Sequence, residues 1–288
     1  MHPVTIPIRA LPIEPEEGVE FMAMPREMST FEMPRAPEPG PGRDVAGARD
    51  VLQGFLDSCD RWLAKGCPAD EPPALDLAGL PEDTLRVLNE TLGEGEVSAL
   101  AGDGQSLRIQ ETVFSGLWRE QHLAEDGVLR HDFLLAAAIP PVLRQLALVS
   151  ASPALRELPL PRGAMNVPAL VSELQEAASR CQAGTPPHVV NLTLLPLSQE
   201  DTQHLDALLD GGGVVLLSRG FGNCRISSTA LAHTWRVQYF NNMQTLILNT
   251  IEVVDFPEVA LAADEDLRES RDRLHELVQW MSDSLAEA

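Results

Sequence analysis

Residues 225–236 read Arg225-Ile226-Ser227-Ser228-Thr229-Ala230-Leu231-Ala232-His233-Thr234-Trp235-Arg236. Residues 108–119 read Arg108-Ile109-Gln110-Glu111-Thr112-Val113-Phe114-Ser115-Gly116-Leu117-Trp118-Arg119. Both have the form R-I-x-x-T-x-x-x-x-x-W-R. The offset is 225 − 108 = 117, and it extends well beyond the motif without a gap. Upstream it pairs Leu88 with Leu205, Leu92 with Leu209, Gly95 with Gly212 and Val97 with Val214. Downstream it pairs Gln121 with Gln238, Leu129 with Leu246, Pro140 with Pro257 and Val142 with Val259. Solenoid repeats recur every ~20–50 residues, so this period is too long for one. The spacing predicts two copies of a small domain, packed as a pseudo-two-fold pair.

Working outward, each copy reads as α+β. In the second copy Val214–Leu217 is a buried strand, and Arg225–Ala230 and Trp235–Phe240 are strands. Asn241–Gln244 is a turn, and Thr245–Val254 is a long β-branched strand. Trp235, Val237 and Tyr239 alternate with Arg236 and Gln238, the pattern of a half-buried antiparallel strand. Before the strands come two helices per copy. The first spans Asp44 to about Lys65, or Val167–Cys181; the second spans Pro81–Leu92, or Ser198–Leu209. Apolar residues at helical spacing mark them, and Ser198 with Asp201 supplies a cap and an early acid. A short strand lies between the helices, at Ala74–Leu77 or His188–Leu195. A last helix runs from Asp264 to about Leu285.

The expected organisation is an extended arm over 1–45, a first α+β repeat over 46–149, a linker over 150–165 and a second repeat over 166–288. Nine prolines between positions 3 and 41 exclude helix and central strand from the arm. Its middle carries Phe21, Met22, Met24, Met28, Phe31 and Met33. Methionine adapts to irregular surfaces, so the arm reads either as a strap on the protein's own domains or as a partner-binding segment.

The formal net charge over 288 residues is −22. Nucleic acid and anionic membranes both demand a basic face, so neither is expected as a partner. The chain has four cysteines, Cys59, Cys67, Cys181 and Cys224, with no C-x-x-C pair. That is neither a zinc signature nor a disulfide framework, and it fits a reducing, cytoplasmic setting. No signal peptide or membrane span is visible. No metal or cofactor is expected.

The sites of chemical interest are few. Gly211-Gly212-Gly213 and Gly220-x-Gly222 lack the strand–loop–helix context of a phosphate loop and read as tight turns. No G-x-S-x-G or H-E-x-x-H occurs, and Glu111 faces Ser228 rather than an acid across the offset, so no catalytic residues are assigned. Cys224 lies between Asn223 and Arg225. A neighbouring cation lowers a thiol pKa and makes it reactive; the alternative is a small buried residue at a strand start. Arg108 with Arg225, and Arg119 with Arg236, are symmetric cations suited to carboxylate pairing and aromatic stacking, and so interaction candidates. Trp118 and Trp235 read as core anchors or, if exposed, as interface hot spots. Arg219, Phe221, Asn223, Cys224, Arg225 and Trp235 are candidate binding residues. So are Arg108, Glu111 and Trp118, together with Met24, Met28 and Phe31 of the arm.

These motifs carry a family resemblance. Leu216-Leu217-Ser218-Arg219-Gly220-Phe221-Gly222-Asn223-Cys224-Arg225-Ile226-Ser227-Ser228-Thr229 is followed by Thr234-Trp235-Arg236-Val237-Gln238-Tyr239-Phe240-Asn241 and then Leu246–Val254. In the first copy Leu92–Val97 and Ile109–Arg119 match. The chain resembles the HupH/HyaF/HoxQ-type hydrogenase expression/formation proteins over most of 75–285, with Phe221 where a tyrosine is often found. The resemblance implies a non-catalytic NiFe hydrogenase maturation factor. Such a factor holds the small-subunit precursor during iron–sulfur cluster completion, before twin-arginine export. It also implies a companion accessory protein of thioredoxin-like fold. The alternative is a redox or iron–sulfur cluster-handling factor that uses Cys224.

Overall fold

A computed structural model describes residues 37, 40–102, 105–219 and 222–287. The first helix, α1 (Val45–Ala64), begins where Asp44 accepts a hydrogen bond from the Gly47 amide (2.9 Å) and another from the Thr84 hydroxyl (2.7 Å). It is followed by β1 (Ala74–Asp76), α2 (Glu82–Leu92), β2 (Val97–Ala101), β3 (Leu107–Glu111), β4 (Leu117–Leu123) and β5 (Leu129–Ala136). Next is α3 (Pro141–Val149), which sequence reasoning missed. Pro141 suits its start, because proline at the first helical position forfeits no hydrogen bond and presets φ.

The second half runs α4 (Val167–Arg180), β6 (His188–Asn191), α5 (Gln199–Leu209), β7 (Val214–Ser218), β8 (Asn223–Ser228), β9 (Thr234–Phe240) and β10 (Leu246–Val253). A 3-10 turn at Glu258–Ala260 and the long α6 (Asp264–Glu287) close it. The strand expected over 188–195 stops at Asn191, where the Asn191 side chain and carbonyl fold the chain back onto the Thr193 and Leu194 amides. Ser198 and Asp201 form the expected cap on α5. The same Asp201 carboxylate also accepts from the Met165, Asn166 and Val167 amides, so one buried side chain organises the starts of two helices.

The strands join in one ten-stranded antiparallel sheet, ordered β1-β5-β4-β3-β2-β7-β8-β9-β10-β6. The halves meet at β2 and β7. There Val97 pairs with Ser218, Ala99 with Leu216 and Ala101 with Val214. The central pair is itself one offset apart, 216 − 99 = 117. Hydrogen bonds beside the seam repeat the same relation: Gly102 N donates to the Gly213 carbonyl (3.2 Å) and Arg219 N to the Glu96 carbonyl (3.1 Å).

Because side chains alternate across a sheet, the register assigns two faces. One row across the sheet holds Leu134, Arg119, Gln110, Ser98, Leu217, Arg225, Gln238 and Asn249. On this face α1, α2 and α6 cover the first half around Phe55, Leu88, Phe114 and Leu274. There too, α4 and α5 cover the second half around Leu174, Leu205 and Ile251. The opposite face carries Ile109, Trp118, Leu216, Ile226 and Trp235, covered by α3 and the 3-10 turn through Leu143, Phe256 and Ala260. The helix α6 belongs by sequence to the second half but packs against α1 of the first. There Arg271 Nε donates to Asp60 (2.6 Å), and Leu274, Val278 and Met281 enter the first core.

Candidate functional site

The register divides the sequence-predicted residues between the two faces. Arg108 and Arg225 share the face that bears α2 and α5, on β3 and β8. Three strand spacings separate those strands, about 14 Å, so the two cations flank the seam without meeting. Arg225 is largely buried and its guanidinium lies 5.7 Å from the centre of the Phe240 ring, an arrangement arginine suits. Arg219 follows β7, and its Nη2 donates to the Gly95 carbonyl across the seam (3.2 Å). Asn223 opens β8 opposite Phe240. Phe221, Met24, Met28 and Phe31 lie outside the described residues.

Glu111, Trp118, Cys224 and Trp235 point to the opposite face and are buried there. Trp118 Nε1 donates to the Ala137 carbonyl (2.9 Å), and Trp235 packs on Phe256 with ring centres 4.5 Å apart. Both indoles are core residues, out of a partner's reach while the fold is intact. Cys224 is fully buried; burial pushes its thiol up to about 12, against a smaller opposing effect of its hydrogen bond with Tyr239. A thiol in that range stays protonated at neutral pH and is a poor nucleophile. The neighbouring Arg225 does not activate it, because adjacent strand residues face opposite ways.

Glu111 is the most perturbed carboxyl in the motifs. Burial raises its pKa to about 7, while the Gly116 amide (3.0 Å) and the Ser115 hydroxyl (3.2 Å) donate to it and offset part of that rise. It therefore braces the β3–β4 turn. Its counterpart Ser228 is engaged differently, its hydroxyl accepting from Val214 N (3.0 Å). The folded pKa lies above the unfolded one, so between about pH 4.5 and pH 7 the unfolded chain loses a proton that the folded chain keeps. Stability falls with rising pH over that window and levels off above it. The displacement is worth on the order of 3 kcal/mol. Urea midpoints at pH 5 and pH 8 should show Glu111→Gln gaining on wild type by roughly that amount at the higher pH; parallel profiles would remove Glu111 from this role.

The motif arginines that close R-I-x-x-T…W-R show what the offset conserves. Arg119 is buried and forms a bidentate pair with Asp132 of β5, and its Nη1 donates to Asn89 of α2 (3.3 Å). Arg236 makes the same two contacts with the charge exchanged. Its Nε donates to Asn249 of β10 (3.1 Å) and its Nη1 pairs with Asp206 of α5. Asp132 and Asn249 are 117 apart, as are Asn89 and Asp206. The carboxylate has moved from strand to helix while the arginine stayed.

An apolar cavity of about 110 Å³ lies among Trp62, Cys67, Ile139 and Leu267, with Asp264 and Arg144 also on its lining. Arg144 is committed to Asp255. Among the described residues no group of three or more His, Cys, Asp or Glu side chains is placed to hold a metal ion. None of the described helices is long and apolar enough to cross a membrane.

Comparison with known proteins sets these features in a family. The model described as "HupH hydrogenase expression protein, C-terminal conserved region" matches residues 45–147 and 164–281. This chain belongs to the HupH hydrogenase expression protein family. The HupH-family chain is 42% identical over 267 residues to the hydrogenase expression/formation protein HoxQ of Cupriavidus necator, covering 92% of this chain and 93% of that protein. It is 38% identical to the hydrogenase expression/formation protein HupH of Rhodobacter capsulatus, covering 92% of each. With the hydrogenase-1 operon protein HyaF of Escherichia coli it shares 37% identity, over 75% of this chain and 76% of HyaF. A solved HupH chain from Thiobacillus denitrificans overlaps 41% of this chain and 96% of its own length, at 26% identity and a TM-score of 0.37.

Proposed function

We propose that this protein is a non-catalytic maturation factor for a NiFe hydrogenase. It holds the small-subunit precursor while its iron–sulfur clusters are completed and before twin-arginine export, alongside a companion accessory protein of thioredoxin-like fold. The observation that carries this reading is near full-length similarity to relatives named as hydrogenase expression/formation proteins. Physical features support it. The distinctive side chains of the repeated motif are spent on the fold: the indoles in the core, Glu111 on a turn, Arg119 and Arg236 in ion pairs. An acidic surface attracts a precursor that presents basic charge. The redox alternative rests on Cys224, whose buried, protonated thiol counts against it.

The same reading takes the two halves as a duplicated unit. Every strand from β2 to β5 has a counterpart 117 residues later, and the β2–β7 register is centred on an offset-related pair. The swap in Arg119 and Arg236 partners is what divergence after duplication would leave. Co-purification from cells expressing a hydrogenase operon tests the function. The small-subunit precursor is expected with the tagged protein, and its consistent absence would contradict the proposal.

A further inference from the structure

Arg108 Nε, Gln121 Nε2 and Asn89 Nδ2 are buried, and among the described residues none of these atoms has a hydrogen-bond partner. All are N–H groups that donate and cannot accept. A buried donor without an acceptor costs stability, and native folds rarely keep one without a reason. Gln121 is the extreme case, at 1% exposure.

The groups belong to one neighbourhood. Arg108 of β3 is the register partner of Gln121 of β4, so their Cβ atoms stand about 5 Å apart on one face. Arg119 lies on that face two residues before Gln121, about 7 Å along the strand. Its Nη1 donates to Asn89 Oδ1 (3.3 Å), which fixes the amide and leaves Nδ2 as the atom without a partner. The charge of Arg119 is balanced by the buried Asp132. Arg108 makes no ion pair among the described residues.

The second half shows what is missing. Arg225, one offset after Arg108, lies 5.7 Å from the centre of the Phe240 ring. The residue matching Phe240 in the first half is Leu123, which offers a cation no π face. Asp206, one offset after Asn89, brings a carboxylate on α5. The first half therefore lacks both the ring and the helix-borne carboxylate, while it keeps donors suited to surround one.

We infer that Arg108, Gln121 and Asn89 form a binding site for a single carboxylate group supplied from outside the fold. A guanidinium matches the two oxygens of a carboxylate, and each amide donates to one of them. Charge narrows the ligand further. Only Arg108 is left unbalanced there, and a chain with a formal net charge of −22 repels polyanions. A monocarboxylate fits these terms; a phosphate dianion does not. Arg108 is half-buried, so the site opens to solvent on its side.

The probe is sodium acetate, exchanged for sodium chloride at constant ionic strength with the full chain. Wild-type Tm should rise saturably, by about 2–4 °C at tenfold excess over Kd. Arg108→Leu should abolish the rise. Lys65→Gln, at an exposed cation at the end of α1, should keep it. Gln121→Leu should raise Tm without acetate, because it removes a buried donor that has no partner, and should abolish the acetate response. A purely structural Gln121, serving Arg108 through its amide oxygen, would instead lower Tm when replaced. That lower Tm, no rise in wild type, or the same rise in wild type and Arg108→Leu overturns the site. A rise of equal size with phosphate, absent in Arg108→Leu, overturns the assignment to a carboxylate. Purified hydrogenase small-subunit precursor then identifies the source. If acetate competes with it and Arg108→Leu weakens its binding at least tenfold, the carboxylate belongs to a polypeptide. If the acetate response stands and precursor binding is indifferent to both, it belongs to a small free acid.

Discussion

Replacing Asp132 with alanine lowers the unfolding free energy by about 3–5 kcal/mol, the range for removing one partner of a buried ion pair. The reason is the arginine left behind. Arg119 is almost wholly enclosed between β4, β5 and α2, and among the described residues its remaining hydrogen-bond partner is the neutral Asn89. Asp206→Ala removes the corresponding carboxylate from Arg236, but Asp206 is 47% exposed on its side chain. Water takes over there, so the loss is about 1 kcal/mol or less. The second half also prescribes a rescue. Asn89→Asp combined with Asp132→Asn rebuilds around Arg119 the arrangement seen around Arg236, and should recover most of the lost stability. Urea unfolding of the four proteins decides the matter. Equal losses for Asp132→Ala and Asp206→Ala would refute the burial argument, and an unrescued double variant would refute the equivalence of the two sites.

Gly212→Ala destabilises the protein by about 3 kcal/mol, at the top of the usual range for overfilling a packed site. A Cβ there would lie 1.8 Å from the Ser228 carbonyl oxygen. Gly95, one offset earlier, has the same difficulty, 2.1 Å from the Thr112 carbonyl oxygen. In both halves the obstacle is backbone of the strand or turn alongside, which cannot rotate away as a side chain would. Gly54 is the contrasting case. It lies within α1 with nothing within 4 Å of the added carbon, so Gly54→Ala gains about 0.5–1 kcal/mol from helix propensity. Thermal melts that move the same way for Gly212→Ala and Gly54→Ala would contradict this geometry.

The sequence revealed its elements where local chemistry and the long repeat agreed. The α5 cap at Ser198 and Asp201, the β9 alternation of Trp235, Val237 and Tyr239, and the matched strands were all readable, because period and spacing are local. What lay beyond reach was set by distant partners. Pro141 begins a helix because Leu143 and Ala147 find the central core, and Asn191 ends a strand through hydrogen bonds to its own loop. The crossing of α6 onto α1 depends on Leu274 and Val278 matching a surface in the other half. The exchange of charge between Asp132 and Asp206 was present in the letters at one offset, yet without contacts to Arg119 and Arg236 nothing linked them. For the site, Arg108 and Arg225 emerged as a symmetric pair, whereas the burial of Trp118, Cys224 and Trp235 follows from which sheet face each strand turns inward.

If this protein holds an unfinished hydrogenase subunit, as proposed, its affinity for that subunit in two states tests it most directly. Titrating the purified full-length chain against small-subunit precursor lacking its iron–sulfur clusters, and against the cluster-replete form, should give at least tenfold tighter binding to the first. Equal affinity for the two forms, or binding to neither, would contradict it.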